Sequence, residues 1–430
     1  MSLLSLFISL IVMILVGVPV LLSLGLVGII GIVSSGSLAP ALFVQKAFAM
    51  LDSFPLLAMP FFILAGVVMS RGGLAEKLIS FAQALVGHLR GSLAQVAIVA
   101  CTAMANVSGS STAEAAAIGR ILIPEMKKRG YKPGFAAAVI AVAATIGPII
   151  PPSMTAIVYG SMANVSIGGL FLAGVIPGYL LCLVLMAMIK CYSHLPMFPY
   201  LAETTKRPDM KQMKKHLLDA WAALLAPIIV LGGILSGIFT ATEAGVIVTI
   251  YAFFVSFFIY RSVSLRDLVD IFVETAVITS MAVGIIAMAG PLGWLLTYMD
   301  FNNTALALIR SVTNDPQYVF LIIIAIMVFL TMFVESLSVL IVLVPVTTYL
   351  SQVYGYDPYQ LGIALVISTQ VGALTPPVAS LLFVTTSVAE TRFSETCRFI
   401  FPFIGVHLLL LASLTFFPPL ASWLPHLFLG

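Results

Sequence analysis

Two stretches of this chain are built to one pattern. "RGYKPGFAAAVIAVAATIGPIIPP" at 129–152 and "YGYDPYQLGIALVISTQVGALTPP" at 354–377 each read G-Y-x-P, thirteen residues, then G-x-x-x-P-P. An offset of 225 carries Gly130 to Gly355, Pro133 to Pro358, Gly147 to Gly372, Pro151 to Pro376 and Pro177 to Pro402. Upstream the offset becomes 221, pairing Glu114 with Glu335 and Pro124 with Pro345. Chance matches a few small residues, not a sustained order of glycines and prolines. The chain therefore reads as an internal duplication, roughly 1–200 and 216–430.

These prolines interrupt apolar runs, which raises the question of solvent. Apolar residues make up 61% of the chain and charged residues 9%, against about 25% charged in soluble domains. Many runs approach the roughly 20 residues that cross a bilayer. A polytopic membrane protein follows, all-α because each span must satisfy its own backbone. The first run, 3–20, lacks a basic start and a convincing cleavage site and reads as a retained span. A net charge of +3 is too small to suggest nucleic acid. The cysteines (Cys101, Cys182, Cys191, Cys397) form neither a metal spacing nor a disulfide framework. Of the histidines only His407 lies well inside a span, where a packing or hydrogen-bonding role is expected.

The two copies differ in charge. The first motif is preceded by "EMKKRGYKP", the second by "LSQVYGYDP". Lys and Arg mark short cytoplasmic loops, so the same loop is expected inside in one copy and outside in the other. The repeats are then inverted, as in many secondary transporters. Basic segments at 71–90, 127–132, 190–215, 261–266 and 392–398 all fall inside if both termini are periplasmic. Spans are expected near 3–20, 22–38, 54–70, 133–163 and 170–190, then 218–238, 241–260, 275–297, 359–388 and 399–425. Segments 40–52 and 264–274 read as interfacial amphipathic helices, and 202–219 as a cytoplasmic linker.

Both ends of 91–128 face one side, so this segment must enter and return. A 16-residue arm is about 24 Å long as a helix, short of the roughly 30 Å hydrocarbon core. A re-entrant hairpin with its tip at "NVSGSSTAE" is expected, and a second at 318–350 with its tip at "VESLS". The broken helices 133–163 and 359–388 carry "GPIIPP" and "GALTPP". Proline removes a donor and frees a carbonyl, and glycine lets the chain turn. Irregular backbone at this depth must be buried or line a wet cavity. Unwound carbonyls suit Na⁺; the helix N-termini that follow suit a carboxylate. One such break alone is usually a kink, but the pairing of tip and break recurs. Glu335 at the second tip is expected to serve a cation site or gate, Glu114 the same or orientation of its tip, and Glu243 in "FTATEAG" a cap or ion pair.

"SGSSTAEAAAIGRILIPEMKKRGY…GFAAAV…IGPIIPPS", "GIFTATEAG" and "GALTPPV" resemble the large membrane subunit of TRAP (tripartite ATP-independent periplasmic) transporters over nearly the whole chain. The family fold is similar to that of divalent anion/sodium symporters. The resemblance implies an elevator-type, Na⁺-coupled importer of a small carboxylate in a bacterial inner membrane, with no other cofactor. It further implies two partners: a small membrane subunit, expected as a separate chain, and a periplasmic substrate-binding protein. Cation sites then map onto Ser108, Gly109, Ser110 and Ser111 with Gly147 and Ile150, and onto Glu335, Ser336 and Ser338 with Gly372 and Thr375. Thr145, Ser153, Thr155, Tyr159, Thr369 and Gln370 are candidate substrate walls. The chain departs from the family pattern at Ala241, where many members carry proline, and at Glu335-Ser336, where an Asp-based tip is common.

The moving domain is expected to comprise 54–163 and 275–388, and the scaffold 1–53, 164–274 and 389–430. A stand-alone anion symporter of the same fold is the nearest alternative. An intramembrane serine hydrolase using "SGSS" would need a base, and no histidine lies near either tip in sequence. An ion channel would not need sealed hairpins.

Overall fold

The computed structural model describes residues 3–36, 38–205 and 207–429, and every regular element among them is helical. Among the described residues seven helices are long and apolar enough to cross a bilayer. The first half runs Leu3–Leu15, Val20–Ser34, Ala41–Leu51, Ala58–Arg71 and Leu74–Val86, then a hairpin of Ser92–Ser108 and Ser111–Lys128. Two half-helices, Pro133–Ala144 and Met154–Ala163, and the long Ile167–Tyr192 follow. The second half runs Met210–Leu235, Ala241–Phe254, Asp267–Tyr298 and Phe301–Val312, then a hairpin of Pro316–Thr331 and Ser336–Tyr354. Half-helices Pro358–Leu374 and Ser380–Ala389, then Phe393–Phe416 and Pro419–Leu429, complete it.

Local chemistry sets many of these boundaries. Asp357 accepts hydrogen bonds from Tyr359 N (2.8 Å) and Gln360 N (3.0 Å), with Pro358 as first helical residue; the missing proline donor costs nothing there. Glu243 accepts from Thr240 N at 2.7 Å while Thr240 Oγ1 accepts from Glu243 N at 3.2 Å. This reciprocal box makes Glu243 the cap expected of it, and such caps contribute about 1 kcal/mol.

Several sequence expectations need correction. Segment 264–274 is no separate interfacial helix; from Asp267 the helix continues unbroken to Tyr298. Its counterpart Ala41–Leu51 does stand apart, because the turn at Asp52 and the 3-10 segment Phe54–Leu57 separate it from Ala58–Arg71. Expected span 399–425 ends at Phe416, where Pro418-Pro419 follow. Leu74–Val86 and Phe301–Val312 form short helices in stretches assigned to no element. At 12–13 residues they cannot span a bilayer.

Corresponding elements exchange partners between the halves. Ala58–Arg71 packs on Ala241–Phe254, while Val20–Ser34 packs on Asp267–Tyr298. Thr249 Oγ1 donates to Phe61 O at 2.7 Å and Thr242 Oγ1 to Phe54 O at 3.1 Å across the first contact. The inner arm of the first hairpin, Ser111–Lys128, packs on Ser380–Ala389; that of the second, Ser336–Tyr354, packs on Met154–Ala163. Half-helix Pro133–Ala144 lies against Phe393–Phe416, and Pro358–Leu374 against Ile167–Tyr192.

The packing divides the helices into two groups. Hairpins and half-helices gather with Ile167–Tyr192 and Phe393–Phe416, and Pro133–Ala144 is buried from Gly134 to Ala144. Its alanines allow the close approach that membrane helices need in place of a hydrophobic driving force. Ala58–Arg71 and Asp267–Tyr298 pack chiefly on the other outer helices.

Candidate functional site

At the first tip, Gly109 turns the chain with φ +57° between Ser108 and the cap residue Ser110. Only glycine adopts this conformation cheaply, and a Cβ here would also strike the carbonyl oxygen of Pro152. The tip thus rests on the Pro-Pro break of the half-helix pair. Ser110 Oγ caps the helix that begins at Ser111. One turn into that helix Glu114 is fully buried, and Ser108 Oγ donates to its Oε1 at 2.7 Å. Glu114 Oε2 is buried without a hydrogen-bond partner. A Cβ on Gly147 would collide with the same carboxylate. Sequence separation of 33 residues between Glu114 and Gly147 collapses here to direct contact.

Beyond Ala144 the chain leaves the helix, turns through Thr145–Ile150, crosses a cis Pro151-Pro152 bond and restarts at Ser153. Ser153 Oγ accepts from Ala156 N at 3.1 Å, so its hydroxyl is the cap of Met154–Ala163. Among the described residues no hydrogen bond ends on the carbonyl oxygens of Gly147, Pro148, Ile149, Ile150 or Pro151. Residues 145–153 are all buried. Unpaired carbonyls in such a place are costly. The run begins at Gly147, which lies on Glu114, and that carboxyl group faces no basic group within salt-bridge range among the described residues. Oxygen ligands of this kind suit a hard monovalent cation.

The second tip uses the same parts differently. Glu335 is itself the cap: it accepts from Leu337 N (3.0 Å), Ser338 N (2.9 Å) and Ser338 Oγ (2.9 Å) and is exposed. Ser336 Oγ donates to Thr369 O at 3.2 Å, and Val378 N to Met332 O at 3.2 Å, tying tip to break. Gly372 lies directly on Thr331, a residue absent from the sequence reading. Thr375 Oγ1 donates to Val371 O at 2.6 Å and ends the half-helix before a second cis bond, Pro376-Pro377.

The candidate wall residues scatter. Thr155 is half-buried one turn from the first break. Tyr159 is buried with its ring against Gly362, where the two half-helix pairs meet. Thr145 Oγ1 lies 2.6 Å from Val142 O and 2.8 Å from His407 Nε2. His407 Nδ1 faces Phe403 O at 2.9 Å, so that nitrogen carries a proton. The hydrogen-bonding role expected of His407 is what it has. Thr369 accepts from Gln370 Nε2 at 3.0 Å, and Gln370 Oε1 is buried without a partner.

A family model described as the tripartite ATP-independent periplasmic transporter, DctM component, matches residues 7–420. The sialic acid TRAP transporter large permease protein SiaM of Vibrio cholerae is 33% identical over 96% of either chain. The C4-dicarboxylate TRAP transporter large permease protein DctM of the same organism is 37% identical, over 100% of this chain and 99% of its own. The crystal structure of the YdaH transporter of Alcanivorax borkumensis superposes with a TM-score of 0.58 over 89% of each chain at 15% identity, a likeness of fold alone. A multi-span membrane protein rather than an enzyme, this chain belongs to the family of large membrane components of TRAP transporters.

Proposed function

We propose that the chain imports a small organic acid by coupling to Na⁺, taking the acid from a periplasmic binding protein and working beside a separate small membrane subunit. Acids named for the relatives, sialic acid and C4-dicarboxylates, support the substrate class. The single observation that carries cation coupling is Glu114. A sealed carboxyl group with one unpartnered oxygen, set against Gly147 where a run of unpaired carbonyls begins, supports a site for a positive ion. Na⁺ at Ser108, Glu114, Gly147 and Ile150 would fix the tip on the break, and an ordered tip would bind substrate better.

The exchange of partners between corresponding helices supports two halves related by a two-fold axis, and the opposed loop charges support inversion. Basic loops inside and both termini periplasmic complete this topology. The mobile body in this reading is the hairpins, the half-helices, Ile167–Tyr192 and Phe393–Phe416. The remaining long helices form the wall it slides against.

Uptake of radiolabelled acid into proteoliposomes under an imposed Na⁺ gradient tests the proposal. The double substitution Ser108→Ala and Ser111→Ala should abolish Na⁺-driven uptake while the complex still assembles; unchanged uptake defeats the first site. Uptake by the purified chain without binding protein or small subunit would instead favour the stand-alone symporter.

A further inference from the structure

A cavity of about 680 Å³ lies far from either tip, between the start of Pro133–Ala144, the end of Ile167–Tyr192 and the start of Phe393–Phe416. Two cations, Lys132 and Arg398, stand in its lining. Both are exposed, and among the described residues neither has a carboxylate or hydrogen-bond partner. The one acid in the lining, Glu395, accepts from Thr391 Oγ1 at 2.7 Å and keeps its charge, so the two cations leave the lining positive on balance. Half-helix Pro133–Ala144 starts here without a side-chain cap, so its positive end adds to the two charges.

The rest of the wall is apolar. Tyr192 and Phe198 stack at 5.0 Å, Phe399 and Pro402 continue the surface, and Leu195 and Met197 stand exposed at the mouth. Buried aromatic contacts from Phe135 and Tyr200 hold this floor from behind. The cavity sits at the end of the body that carries Lys127, Lys128 and Arg129, the basic and hence cytoplasmic end.

The two features select the occupant. Unpaired cations beside a helix N-terminus call for an anion rich in oxygen acceptors. An open aromatic wall with an apolar lip calls for hydrocarbon, which a free phosphate or a small soluble acid does not bring. We infer that this cavity holds the headgroup and upper chains of an anionic phospholipid of the cytoplasmic leaflet, with Lys132 and Arg398 on the phosphate and the acyl chains along Tyr192 and Phe399. Basic pockets between spans bind lipid headgroups in this way.

The full-length chain, purified in mild detergent, can be titrated with dioleoylphosphatidylglycerol or dioleoylphosphatidylcholine while thermal unfolding is followed. The expected result is stabilisation by the anionic phosphatidylglycerol alone. The double variant K132Q/R398Q should bind it about thirtyfold more weakly, as expected for two cations at an anionic surface, and should unfold like the parent in phosphatidylcholine. The control K128Q/K190Q, which removes two charges from the same end outside the cavity, should keep the response. Equal loss in the control, full retention in K132Q/R398Q, or the same stabilisation by inorganic phosphate or glycerol phosphate would each overturn the lipid site. Should the double variant fail to fold, R398Q alone, read by native mass spectrometry of bound lipid, decides the matter by the same criterion.

Discussion

The two hairpin tips occupy matching places in the sequence pattern and differ in how they hold charge. Glu114 lies inside the packed body, bonded by Ser108 through one oxygen and with the other unsatisfied. Glu335, its counterpart by position, is exposed and spends both oxygens on the first turn of its own helix. The breaks differ likewise: 145–153 is buried throughout, whereas Pro377 and Val378 are exposed. One tip is therefore closed and keeps a carboxyl oxygen without a partner; the other is open and internally satisfied. A charge that is already satisfied serves the local backbone. One that is not is open to the cation proposed for it.

This contrast can be broken by experiment. The largest effect is expected from Glu114→Gln, which keeps an acceptor for Ser108 and removes the charge. Apparent Na⁺ affinity in uptake assays should fall about 10- to 100-fold, the scale of a lost charge-assisted contact. An unchanged Na⁺ dependence would mean that the carboxylate is structural. Next comes Gly147→Ala, whose methyl would displace that carboxylate. Overpacking of this kind costs about 1–3 kcal/mol, visible as a lower unfolding midpoint together with lost uptake. Glu335→Gln should be milder. It weakens a cap worth about 1 kcal/mol, so faster hydrogen exchange confined to 334–340 is expected, with Na⁺ affinity altered less than in Glu114→Gln. If Glu335→Gln proves the more damaging, the assignment of closed and open halves is reversed. The smallest effect is expected from Thr145→Val, which removes one buried hydrogen bond to His407, worth about 1 kcal/mol. Substrate half-saturation should then shift only a few-fold.

Features that rest on backbone chemistry were legible in the sequence. Proline and glycine reveal where a helix must stop, so both breaks and both tips stand where "GPIIPP", "GALTPP", "SGSS" and "VESLS" put them. Glu243 was readable as a cap because its partner Thr240 is three residues away. Leu74–Val86 was not, since a short amphipathic helix between Arg71 and Arg90 looks like a basic loop; its stability comes from packing on Met210–Leu235 and Ser92–Ser108. The continuity of Asp267–Tyr298 was hidden for a related reason. Its polar first turns resemble an interfacial segment, and nothing local reveals that the helix does not break at Thr275. Contacts such as Gly147 on Glu114, Gly372 on Thr331 and Thr145 on His407 join residues from 33 to 262 positions apart, and no periodicity reports them.

The exchange of helices between the halves has one more consequence. Because Ser111–Lys128 leans on Ser380–Ala389 and Ser336–Tyr354 on Met154–Ala163, neither half owns a complete interior, and the two are clasped like interlaced fingers. Cutting the peptide in the polar stretch near Thr205 and supplying both fragments together should still yield one assembled particle, while either fragment made by itself has nothing to close around.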